Sequence, residues 1–265
     1  MLTFPEIDPT IFSLGPLEVR WYGLCYLLGF LGAYWICLKR MRLPKQAWTQ
    51  PQVLDLLMYV ALGVVVGGSL GYWLIYQPGV LLKEPWKWMM FWEPGRSFHG
   101  GMVGVLIAIL IFCRQHRRSF LEVTDFVAPA AALAIGFGRI GNFINGELWG
   151  RVTNMPWGMV FPPAGFLPRH PSQLYEAALE GFLLCACLLI YGRKSRPTGN
   201  MSAYFLIGYG AFRFLAECYR EPDWHLGFLA LEWMTMGQIL SIPMILAGFA
   251  LLWYASQRRK AHQRS

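Results

Sequence analysis

About seven stretches of roughly twenty mainly apolar residues recur along this chain, near residues 17–38, 53–77, 97–113, 119–138, 172–192, 200–219 and 236–256. A helix needs about 20 such residues to cross a bilayer, and in hydrocarbon only a helix or a closed barrel satisfies its own backbone. The pattern predicts an all-α polytopic membrane protein with about seven transmembrane helices. Charge has been withdrawn to match. Of the 265 residues, 14% are charged and 55% are hydrophobic, against about 25% and about 45–50% in a soluble domain. Residues 1–265 are expected to form a single integral-membrane domain, with an outer arm at about 78–96 and an outer loop region at about 139–171. Gly63, Gly67 and Gly71, spaced by four, predict close packing of the second helix on a neighbour. Cys25, Cys37, Cys113, Cys185, Cys187 and Cys218 lie in or beside apolar runs without metal-type spacing, and are expected to be buried, inert hydrophobes. Residues 1–16 hold Glu6 and Asp8 but no basic start, so no cleavable signal peptide is expected.

The charges set the orientation. Fourteen of the 23 basic residues fall in four alternate segments: Lys39, Arg40, Arg42 and Lys45; Arg114, Arg117 and Arg118; Arg193, Lys194 and Arg196; Arg258, Arg259, Lys260 and Arg264. Basic loops stay in the cytoplasm. The N-terminus is therefore expected outside and the C-terminus inside, and the net charge of +8 is a topology signal, not a nucleic-acid surface.

With that orientation, unusual polar residues gather at one side of the bilayer. They are Tyr22 on the first span, His99 opening the third, Arg139, Asn142, Asn145 and Glu147 after the fourth, His170 to Glu176 opening the fifth, and Tyr209, Arg213, Glu217 and Arg220 along the sixth. Ionisable groups at membrane depth are costly and face a cavity or a partner. Arg139 and Arg213 fit structural pairs with Glu147 and Glu217, while Trp21 and Trp224 fit an aromatic belt. Gly136-Phe137-Gly138-Arg139-Ile140-Gly141 fits the dinucleotide fingerprint, but it ends an apolar helical run instead of following a strand, so no nucleotide is expected. Trp86, Trp88, Phe91 and Trp92 beside Lys83 and Lys87 suit an amphipathic outer arm. Residues 151–169, rich in proline and glycine, suit an irregular arm bending over the cavity.

The densest motif is Gly138-Arg139-Ile140-Gly141-Asn142-Phe143-Ile144-Asn145-Gly146-Glu147-Leu148-Trp149-Gly150. It resembles the signature G-R-x-G-N-F-x-N-x-E-x-x-G of the bacterial prolipoprotein diacylglyceryl transferase family at every specified position. Trp21-Tyr22-Gly23, Ser97-Phe98-His99-Gly100-Gly101, His170-Pro171-Ser172-Gln173-Leu174-Tyr175-Glu176 and the segment from Tyr209 through Arg213 to Arg220 are similar to that family too. The resemblance implies a seven-span enzyme of the bacterial inner membrane, its active site toward the periplasm. It would transfer the diacylglyceryl group of phosphatidylglycerol to the thiol of the lipobox cysteine in a preprolipoprotein signal peptide, releasing glycerol phosphate. It also implies that Tyr22, His99, Arg139, Asn142, Glu147, Gly150, Tyr209 and Arg213 occupy positions such enzymes need.

Elementary chemistry agrees with that reaction. The nucleophile is the substrate's thiol, with a pKa of about 8.5 that must be overcome, so the enzyme needs no reactive cysteine. The departing phosphate gains charge, which fixed guanidinium groups stabilise. Arg139 and Arg213 are expected to hold it, with Arg220 a further candidate at the cavity mouth. His99 is the natural proton acceptor, an arginine-bound phosphate the alternative, and Glu147 the orienter of Arg139. Asn142, Asn145, Tyr22 and Tyr209 would hydrogen-bond the head group or the loop backbone. No metal, ATP or other cofactor is called for. A transporter with a midplane site and a non-catalytic lipid-binding scaffold are the competing classes; release of glycerol phosphate that depends on an acceptor thiol separates them.

Overall fold

The computed structural model describes residues 2–5, 7–15, 17–43, 47–90, 95–222 and 227–264, without the side chains of residues 14, 17 and 259–264. Glu6, Lys45, Phe91, Trp92 and Trp224, and the side chains of Arg259, Lys260 and Arg264, lie outside that description. In chain order the elements are β1 (Leu2–Thr3), β2 (Thr10–Leu14), β3 (Leu17–Arg20), α1 (Trp21–Met41), α2 (Gln50–Tyr76), α3 (Pro78–Lys83), α4 (Phe98–Gln115), α5 (Phe120–Ile144), β4 (Met159–Val160), β5 (Pro168–Arg169), α6 (Ser172–Glu176), α7 (Leu184–Tyr191), α8 (Asn200–Glu217) and α9 (Met236–Arg264). A π-helical stretch, Ala177–Leu183, joins α6 to α7, so Ser172–Tyr191 is one continuous helix.

The protein is a polytopic, mainly helical membrane protein. Among the described residues, six helices are long and apolar enough to cross a bilayer: α1, α2, α4, α5, Ser172–Tyr191 and Met236–Arg258 of α9. Large apolar side chains such as Leu62, Leu246 and Trp253 stand more than half exposed on them, as lipid-facing residues do. Where the seventh span is expected the structure has α8, a helix of 18 residues whose polar residues keep it outside that set. Two boundaries differ from the sequence expectation. Leu17–Arg20 alternates in polarity and pairs with Thr10–Leu14 as a hairpin turned at Gly15, so α1 begins at Trp21 and not near 17. At the other site-bearing end, α5 continues to Ile144 instead of stopping near 138, which puts Arg139 and Asn142 inside the helix.

The chain packs as two compact units, Met1–Cys37 with Thr124–Ser265, and Leu38–Val123. In the second unit the predicted glycine stripe is a backbone-to-backbone seam. A Cβ on Gly67 would stand 2.4 Å from the Gly100 carbonyl oxygen, and one on Gly63 2.7 Å from that of Gly104. Thr49 caps α2 in a reciprocal box with Gln52, and Ser97 caps α4 through the Gly100 N–H at 3.1 Å. Among the described residues of the arm expected at about 78–96 there are two short pieces, α3 and a 3-10 turn at Pro85–Met89, with the Trp88 carbonyl accepting from Ser69 Oγ at 2.6 Å.

In the first unit α5 is central. Gly29 of α1 lies against Ala134, and Gly136 of α5 against Gly181 of the π-helical stretch, where a Cβ on Gly181 would meet the Gly136 Cα at 2.3 Å. Asp125 of α5 receives the Gly199 N–H at 2.6 Å and the Ser202 N–H and hydroxyl, each at 2.7 Å, and so caps the start of α8. The arm at 151–169 is more regular than expected, since β4 and β5 form a hairpin to which β1 adds a third strand. Cys25, Cys37, Cys113 and Cys185 are buried as expected; Cys187 and Cys218 are exposed.

Candidate active site

Because Gly136 and Gly181 let α5 and the π-helical stretch touch along their backbones, Arg139, one turn beyond Gly136, reaches the acidic face of that helix. Arg139 Nε stands 2.9 Å from Glu176 Oε2, and Nη2 3.4 Å from Glu180 Oε2. From α8, Arg213 Nη1 stands 3.2 Å from Glu176 Oε1 and 3.5 Å from Glu180 Oε1, while its Nη2 pairs with Glu217 one turn on. Arg220 Nη1 completes the cluster, 3.8 Å from Glu176 and 3.7 Å from Glu217. Glu176 and Glu180 are 0% exposed. The contacts to Glu176 are ion pairs by distance, without aligned hydrogen bonds to either oxygen.

Three guanidiniums thus face three carboxylates, so the buried cluster is formally neutral. That is the condition under which charges survive away from water. Each guanidinium carries five N–H donors, and Arg139 and Arg213 each meet two or three carboxylates here. Tyr209, one turn before Arg213 on α8, lies in the electrostatic field of Glu180, Arg139, Arg213 and Glu176. Glu217 is fixed from its other side by the Thr235 hydroxyl at 2.8 Å.

A second polar group sits where α5 ends. Asn142 Nδ2 donates to Glu147 Oε1 at 2.7 Å and Asn145 Nδ2 to the same oxygen at 3.4 Å. Tyr22 of α1 packs its ring on Gly141, which has no room for a Cβ, and its hydroxyl lies 3.1 Å from that of Tyr26 and in reach of Asn142. The turn is forced. Leu148 holds φ at 59°, a left-handed conformation that a branched side chain rarely adopts. Gln173 Nε2 clamps the Glu147 carbonyl at 2.6 Å and Ser172 Oγ the Leu148 carbonyl at 3.1 Å. Gly150 follows, with its N–H on the His170 carbonyl at 2.9 Å. A Cβ there would meet the carbonyl oxygens of His170 and Tyr219 at 2.5 and 2.6 Å, so Gly150 serves the crossing of three backbones. His170 Nδ1 lies 3.1 Å from the Tyr175 hydroxyl, and burial pushes its pKa below the ordinary value.

The expected residues therefore separate into groups. Arg139, Arg213, Arg220 and Tyr209 share the acid-lined cluster, with Arg220 buried and not at a mouth; Tyr22, Asn142, Asn145 and Glu147 form the polar turn. The expected Arg139–Glu147 pairing gives way to Arg139–Glu176 and Arg139–Glu180, because Glu147 is taken by the two asparagine amides. His99 is exposed in the first turn of α4, in the other unit, its ring edge-on to Phe98 at 5.7 Å. Sequence reasoning passed over Glu180 altogether. Its signal was present, since Glu176 and Glu180 are the two acids of an otherwise apolar span, four residues apart. An open cleft beside Asn145, lined by Phe4, Ile7, Pro9, Ile144, Pro162 and Pro163, includes neither Arg139 nor Arg213.

The sequence profile of the family described as prolipoprotein diacylglyceryl transferase matches residues 9–254. Among curated proteins, the phosphatidylglycerol–prolipoprotein diacylglyceryl transferase of Photobacterium profundum is 54% identical, over 96% of this chain and 95% of its own. Those of Legionella pneumophila strain Philadelphia 1 and Coxiella burnetii strain RSA 331 are 53% and 52% identical, over 96% and 98% of this chain and 99% and 100% of theirs. With its polytopic helical fold and the full signature in place, the chain belongs to the prolipoprotein diacylglyceryl transferase family.

Proposed function

We propose that this protein transfers the diacylglyceryl group of phosphatidylglycerol to the lipobox cysteine of preprolipoproteins, the first step of lipoprotein maturation. The observation that carries the site assignment is the convergence of Arg139 and Arg213, from two helices, on one buried pair of carboxylates. In the reaction the cysteine sulfur attacks the glycerol carbon that bears the phosphate. A carbon–sulfur bond forms, the carbon–oxygen bond breaks, its electron pair passes to the phosphate oxygen, and glycerol phosphate leaves while the thiol proton goes to a base. The phosphate gains negative charge at that moment. Guanidiniums already oriented by Glu176 and Glu180 meet that charge without reorganising, which is where fixed donors lower a barrier most.

Asn142, Asn145, Tyr22 and Tyr209 then supply hydrogen bonds to the glycerol hydroxyls, and Glu147 holds the two amides in place. His99 serves as the proton acceptor. The protein works in the bacterial inner membrane with its site toward the periplasm, N-terminus outside and C-terminus inside. The support for this orientation is the alternation of basic segments. The test is reconstitution with phosphatidylglycerol and a lipobox peptide. Glycerol phosphate should appear only when the peptide carries its cysteine; lipid or solute movement without that product would overturn the assignment.

A further inference from the structure

Between Thr153 and Arg169 the chain carries no charged residue, yet it lies outside the membrane-crossing helices and carries exposed apolar side chains. Phe166 is 95% exposed and Leu167 59%. A loop bathed in water has no reason to be built this way. We infer that the tip Phe161–Leu167, at the end of the β4–β5 hairpin, is an interfacial anchor whose partner is the lipid surface. Phe166 and Leu167 sit there among the head groups and upper acyl chains.

Three further observations favour lipid over water or protein. First, the turn that carries Phe166 leaves few backbone donors needing water. Pro162 and Pro163 have no N–H to satisfy, and the Ala164 and Gly165 N–H groups bond inside the turn, at 2.8 Å to the Phe161 carbonyl and 3.2 Å to that of Pro162. Second, the hairpin joins the end of α5 to the start of the Ser172–Tyr191 helix, two consecutive membrane-crossing segments. Its roots therefore lie at one face of the bilayer, continuous with the apolar surface of those helices. Third, Phe166, following Gly165 at φ 97°, stands almost wholly clear of the protein and outside the cleft that Pro162 and Pro163 help to line, whereas a binding site for a peptide helix is concave and walled by several elements. Large apolar side chains on an uncharged tip are what interfacial insertion requires.

The tip is also rigidly rooted. Phe161 is fully buried and stacks on Phe4 at 5.1 Å, with Phe143 and Trp149 at 6.3 and 6.4 Å. Phe143 and Trp149 belong to the signature segment, so an inserted tip holds that segment at the depth of phospholipid head groups. This holds whether or not the substrate proposed above is correct.

The test is a nitroxide spin label on Phe166→Cys, in a Cys187→Ser/Cys218→Ser background, with the full chain in phospholipid nanodiscs. Collisions with dissolved oxygen should exceed those with a water-soluble nickel chelate several-fold, with or without a lipobox signal peptide. A label open to the nickel chelate under both conditions would overturn the anchor. A label open when alone but shielded on adding the peptide would overturn it too, in favour of a protein partner.

Discussion

Arg139 of α5 and Arg213 of α8 hold opposite oxygens of the same carboxylate, Glu176: Arg139 Nε is 2.9 Å from Oε2 and Arg213 Nη1 is 3.2 Å from Oε1. One buried acid thus fixes the spacing of two guanidiniums from separate helices. Geometry, as well as charge, is what the arrangement preserves. Arg213→Lys should therefore lose about 100-fold or more in turnover of phosphatidylglycerol, because an ammonium cannot reproduce the fork. Thermal unfolding in detergent separates loss of chemistry from loss of fold; a folded lysine variant with near-normal turnover would remove the fork from the mechanism.

Glu180 faces both arginines and is fully buried. Glu180→Gln leaves the cluster with an uncompensated positive charge, and breaking a buried pair in this way costs about 3–5 kcal/mol. The expected outcome is a clearly lower unfolding temperature together with weaker turnover. Unchanged stability would mean that the cluster reaches water.

His99 is assigned the thiol proton on its chemistry. His99→Gln keeps a polar side chain but removes the imidazole base, and general-base loss costs about 100-fold to 10,000-fold. Turnover with the lipobox peptide, followed as glycerol phosphate release, should fall into that range. Near-normal turnover would pass the role to the phosphate itself.

Gly150→Ala tests the backbone crossing. With carbonyl oxygens 2.5 and 2.6 Å from the new Cβ, overpacking should lower stability by about 1–3 kcal/mol, read as a fall in unfolding temperature. A variant that unfolds normally but no longer binds lipid would instead make Gly150 a contact for the substrate.

The sequence carried the spans, the glycine seam of α2 and α4, and the two arginines, because each rests on a local period or on a residue type too costly to place idly in lipid. It mistook the end of α5. The apolar run ends near 138, where Arg139 begins a polar stretch, yet Gly141 serves the packing of Tyr22 and the helix runs on to Ile144. The partner of Arg139 was misjudged for a related reason. Glu147 is near in sequence, whereas Glu176 and Glu180 come from another helix that only the Gly136–Gly181 contact brings close. The β4–β5 hairpin was illegible because strands of two residues are set by tertiary pairing and not by a pattern of their own.

The most direct measurement is a structure of the protein with phosphatidylglycerol bound in a bilayer mimetic. The lipid phosphate should lie within about 3.5 Å of guanidinium nitrogens of both Arg139 and Arg213, with Glu176 and Glu180 still behind them. A phosphate held elsewhere, while both arginines stay wholly engaged with their carboxylates, would contradict the account.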